Sequence, residues 1–114
     1  MQFLAIDIET TGLDPQLHDI LEFAAVFVDT EVKLQVSERP SLTLITPNES
    51  NNYFVTPYCA KLHTELWQIL NSIDVELLAQ NLKTDDLVKH TINGIEYNVT
   101  LPRLIPDCLA TWLE

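Results

Sequence analysis

The chain has 114 residues, of which 46% are hydrophobic and only two are glycine, which excludes a disordered or low-complexity segment and predicts one folded domain, residues 1–114, with a single modest core. Its formal charge of −11 opposes the approach of a polyanion, so nucleic acid is a partner only where bound metal or basic groups from elsewhere offset it. Cys59 and Cys108 show no C-x-x-C spacing, and the longest uncharged apolar run, Phe23 to Val28, is far too short to cross a bilayer; a membrane span is excluded, a disulfide has no support in the spacing, and a soluble, cytoplasmic protein with free thiols is expected.

The first predicted element is a strand from Phe3 to about Glu9. Side chains alternate between the faces of a strand, so Ala5, Asp7 and Glu9 share one face while Leu4, Ile6 and Ile8 share the other. Apolar residues on both faces predict an interior strand, where unpaired carboxylates are costly. Two like charges so placed either raise one pKa or attract a cation, and oxygen ligands suit Mg²⁺ or Mn²⁺, which borrow further ligands from water and phosphate. Gly12 and Asp14-Pro15 then supply turn chemistry. A second strand, Ile20 to Asp29, returns antiparallel to the first, interrupted by Glu22, a carboxylate that either hydrogen-bonds near the metal site or points outwards.

On these residues, Asp7-Ile8-Glu9-Thr10-Thr11-Gly12-Leu13 followed by Asp19-Ile20-Leu21-Glu22-Phe23-Ala24-Ala25-Val26, the chain resembles the first motif of the DEDDh (DnaQ-like) 3′-to-5′ exonucleases. The resemblance implies an α/β, ribonuclease H-like fold whose N-terminal part is three antiparallel strands with helices. It implies that Asp7 and Glu9 are catalytic metal ligands for two Mg²⁺ or Mn²⁺ ions and that Thr10, Thr11, Gly12 and Leu13 contact the substrate, a single-stranded DNA or RNA 3′ end. Glu22 would support the ligands from behind. Strand-end capping is an equal alternative for Thr10 and Thr11.

Further along, Glu31 to Val36 alternates polar and apolar residues, and Ser41 to Thr46 predicts a third strand. Pro47-Asn48-Glu49-Ser50-Asn51-Asn52 reads as a loop at the sheet's edge. Thr56-Pro57 starts a helix with Leu62, Leu66, Ile69 and Leu70 on its buried face, which leaves His63 facing solvent. The run Ala60 to Leu66 also resembles the segment after the third strand in some of these exonucleases. Ser72 is the expected cap of a further helix reaching about Leu82, with Asp74 and Glu76 favourable to its dipole. Asn93-Gly94 predicts a type I′ hairpin pairing Val88–Ile92 with Ile95–Thr100, an accessory insertion on the surface. Leu101, Ile105, Leu109 and Leu113 give the last segment an amphipathic helix, with Pro106 in its first turn.

The family's remaining carboxylates and its histidine base are missing from this sequence. Five positions after His18, His63 and His90 stand Phe23, Gln68 and Ile95, none of them the Asp of a His-x-x-x-x-Asp motif. The expectation is therefore an incomplete domain, inactive alone, and two readings follow: a fragment of a longer exonuclease, which we adopt, or a short chain that is degenerate or completes its site with a second chain. An acidic interaction module, binding a basic partner through its surface and the hairpin edge, is the reading from another class.

Overall fold

A computed structural model describes residues 1–50 and 52–114. Five strands form one mixed sheet: β1 (Gln2–Thr10), β2 (Ile20–Asp29), β3 (Ser41–Ile45), β4 (Val88–Ile92) and β5 (Ile95–Val99), in the spatial order β1-β2-β3-β5-β4. The first three are antiparallel, as the short connections require, with Asp7 opposite Ala24 and Glu9 opposite Glu22. The register shifts between Glu9 and Thr10, and Leu21 falls at that irregularity, wholly buried.

The described residues form four helices, α1 (Pro57–Leu62), α2 (Thr64–Asn71), α3 (Val75–Asn81) and α4 (Ile105–Trp112), of which the last three pack on the sheet. Ile45 and Val99 pack with Leu66 and Leu70 of α2 and Leu78 of α3 on one face. Phe23, Ala25, Leu42 and Leu44 pack with Cys108 of α4 on the other. Period-two alternation in β2 and β3 divides the apolar residues between these two layers.

Local chemistry sets the helix starts. The Thr56 hydroxyl accepts from the Cys59 N–H at 3.2 Å, with Pro57 in the first turn where it sacrifices no bond. Asp74, not Ser72, caps α3, accepting from the Leu77 N–H at 3.2 Å. Ser72 instead ends α2, donating its hydroxyl to the Ile69 carbonyl at 2.6 Å. Pro106 lies in the first turn of α4, as its missing donor demands.

Three expectations are corrected. The strand β1 is an edge strand, not an interior one: Ile6 and Ile8 are 55% and 45% exposed. The third strand begins at Ser41, where it is expected, after a short 3₁₀ turn, Val36–Glu38, in the stretch from Glu31. The hairpin is no detached ribbon. Asn93 and Gly94 take the positive φ values, 52° and 80°, that a tight hairpin turn needs, but β5 then docks parallel to β3 at Ile45–Val99 and the Thr100 N–H donates to the Ile45 carbonyl at 3.0 Å. In consequence the loop after β3 leaves an interior strand and not the sheet's edge; Asn51 of that loop lies outside the described residues.

Candidate active site

Directly opposed residues of an antiparallel pair point to the same face, so the β1–β2 register sets Glu22 beside Glu9, with Asp7 two residues along the same face. Three carboxylates thus crowd one side of two strands that carry no lysine or arginine. The Glu22 carboxyl is pushed above its ordinary value of 4.5, first by burial and then by the neighbouring Glu9 and Asp7 charges, against a smaller lowering by His63. Glu22 therefore lies on the same face as Asp7 and Glu9.

His63 completes the cluster, contrary to the expectation that it faces solvent. The predicted single helix breaks at this residue, which ends α1 and precedes α2 with φ −107° and ψ 43°. The break swings Leu62 out to 56% exposure and turns the imidazole inwards. Its Nε2 stands 3.4 Å from Glu9 Oε2, with the histidine side chain only 10% exposed. Thr64, the first residue of α2, donates its hydroxyl back to the Lys61 carbonyl at 3.1 Å, across the break.

A groove of about 530 Å³ opens from this cluster, lined by Glu9, Glu22, His63, Leu66, Ile69 and Tyr97. Tyr97 arrives from the hairpin through the docking of β5 on β3. The groove's charged end and apolar floor can accept a cation and a flat, partly apolar ligand together.

The Thr10–Leu13 turn is oriented differently. Thr10, Gly12 and Leu13 line a separate hollow of about 650 Å³ with Ile8, His18 and Ile20. Thr11 is wholly buried: its hydroxyl accepts from the Asp19 N–H at 2.9 Å, and its carbonyl accepts from the Thr56 N–H at 3.0 Å. The Thr10 hydroxyl donates to the Gly12 carbonyl at 2.8 Å. The strand-end capping alternative thus describes what both threonine side chains do here. Gly12 has a close neighbour, but it is the His18 ring, which a Cβ at this position would meet at 2.5 Å. Leu13, 98% exposed, has a side chain free for an external contact.

Among the described residues, no group of three or more His, Cys, Asp or Glu side chains converges closely enough to cage a metal ion. The donor chemistry nevertheless fits a hard divalent cation. Mg²⁺ is usually held by one or two carboxylates, with water and phosphate oxygens filling the remaining positions, and the burdened Glu22 marks an unbalanced negative charge at this point.

Comparison with known proteins gives the same direction. An exonuclease (RNase T) family model matches residues 4–75. Oligoribonuclease of Buchnera aphidicola is 34% identical over 87 residues, covering 74% of this chain and 52% of the relative. Oligoribonuclease of Photobacterium profundum is 33% identical over 92 residues, covering 80% of this chain and 46% of the relative. The chain thus spans about half the length of the curated relatives it matches. No solved structure matches.

Proposed function

From the premise that this chain belongs to the exonuclease family, whose model it matches over residues 4–75, we propose that it supplies one half of a metal-dependent 3′-to-5′ exonuclease site and that the other half comes from outside these 114 residues. The single observation that supports this best is the acidic face itself: Asp7, Glu9 and Glu22 together on paired strands, with His63 against Glu9. The mixed sheet with helices on both faces accords with a ribonuclease H-like fold.

In this reading Asp7 and Glu9 hold Mg²⁺ or Mn²⁺. The bound metal supplies a more acidic water and neutralises charge on the scissile phosphate. The chain's own groups do the positioning. His63, pressed against Glu9, fixes the direction of that carboxylate, and Glu22 keeps the face too negative to remain without a cation. Leu13 offers an apolar surface to a terminal base, while Thr10, Thr11 and Gly12 hold the turn that presents it. The substrate is a single-stranded 3′ end, and the name of the relatives, oligoribonuclease, favours short RNA over DNA. The setting proposed is the cytoplasm; no described helix is long and apolar enough to cross a membrane.

Calorimetric titration with Mn²⁺ tests the metal half directly. Asp7→Asn and Glu9→Gln should each weaken binding by about tenfold, the loss of roughly one charge-assisted contact; unchanged affinity in both variants would refute the site. The half-site claim has its own test. The 114-residue chain with Mg²⁺ should leave a labelled RNA oligomer intact, and rapid digestion would overturn the claim.

A further inference from the structure

The turn that leaves β1 is closed by the side chain of His18. Pro15, Gln16 and Leu17 make a single turn in which the Asp14 carbonyl accepts from the Leu17 N–H at 3.1 Å and from the His18 N–H at 2.8 Å, while the Asp14 carboxylate accepts from the Gln16 N–H at 3.0 Å. The N–H of Asp14 itself is the donor left over. The His18 imidazole returns to it and accepts at Nδ1, 3.0 Å away. The same ring lies over buried Gly12, so close that a Cβ there would meet three of its atoms within 2.6 Å. Leu13, between these two anchored residues, is almost wholly exposed.

A ring nitrogen accepts an N–H only through a free lone pair. Nδ1 therefore carries no proton in this arrangement, and the imidazole proton sits on Nε2. We propose that His18 is a positioning residue for Leu13: as a neutral imidazole it clamps Asp14 and covers Gly12, and on gaining a proton it releases the turn. The consequence for substrate rests on the reading of this turn as a substrate contact; the clamp itself does not.

Protonation at Nδ1 sets one donor against another, and the Asp14 N–H must then turn to water. The titratable groups facing the ring are Asp14 and Asp19, both from its own loop, while the rest of the hollow brings Ile8, Thr10, Ile20 and Pro102. Both carboxylates attract an imidazolium, and both already hold donors, the Gln16 N–H and the Asn48 side-chain amide at 3.1 Å. Their attraction favours the proton, yet neither replaces the acceptor that the Asp14 N–H loses. The surface that Leu13 offers is thus fixed at neutral pH and loosened in acid.

The experiment is nuclear magnetic resonance on the 114-residue chain in EDTA without substrate, so that its failure would leave the calorimetric test of the metal site untouched. At about pH 8 the His18 ring nitrogens should show the Nε2–H form, and the protection factor of the Asp14 amide should fall about fivefold on going to about pH 5, the loss of roughly one neutral hydrogen bond. The Leu13 resonances should shift with the same midpoint as the His18 ring. His18→Asn, whose Oδ1 stands near the position of Nδ1 and does not titrate, should keep the protection at both pH values. His18→Phe, which keeps a flat ring without the acceptor, should lack it at both. An Nδ1–H form, unchanged protection in the parent, Leu13 resonances that ignore the His18 titration, full protection in His18→Phe, or an equal fall in His18→Asn would each overturn the proposal, the last by assigning the pH response to another group.

Discussion

Replacing Glu22 by Gln removes one charge from the acidic face while keeping the shape of the side chain. Burial together with Glu9 and Asp7 raises the Glu22 pKa in the folded chain, so the folded state binds its proton more tightly than the unfolded state does. The stability that this difference contributes is fully present below the unfolded value of 4.5 and is lost as pH rises through the raised folded value. At neutral pH the ionised Glu22 is therefore a burden, directly across the strand pair from Glu9. Like charges so opposed destabilise by an amount comparable to the gain from opposite charges, about 0.2–1 kcal/mol, with solvent screening holding a partly exposed pair within that range. Glu22→Gln should thus raise stability at pH 7 by about 0.5 kcal/mol, or about 2 °C in Tm. The assay is urea unfolding of both chains at neutral pH and again below pH 4.5, in EDTA. The gain should vanish in acid, where the parent is already protonated. An equal gain at both pH values would refute the electrostatic reasoning, and a loss at pH 7 would mean that Glu22 is held by a favourable contact instead.

Two further outcomes test the scaffold. Leu44→Ala empties a wholly buried position between the sheet and α4 and should cost about 3 kcal/mol in chemical denaturation. Gly12→Ala drives a methyl group into the His18 ring, which is tethered by accepting the Asp14 N–H on Nδ1 at 3.0 Å, and should cost about 2 kcal/mol. Combining it with His18→Ala should recover part of that loss, and strict additivity of the two would refute the clash.

What depends on neighbours along the chain is legible in the sequence. Period two in β1 places Asp7 and Glu9 on one face whatever packs around them. Asn93-Gly94 demands its hairpin turn, and Thr56-Pro57 starts a helix, because φ preferences and capping bonds act within a few residues. The partners of those elements follow from long-range packing. The β1–β2 register brings Glu22 opposite Glu9, and the break between α1 and α2 turns His63 onto that pair against the expectation of a single helix. The hairpin, read as an insertion, joins β3 and carries Tyr97 into the groove. The apolar faces of β1, read as the mark of an interior strand, stand at an open edge. Hydrophobic patterning records that a surface is suited to burial; which surface buries it is settled by long-range pairing, on which local propensity is silent.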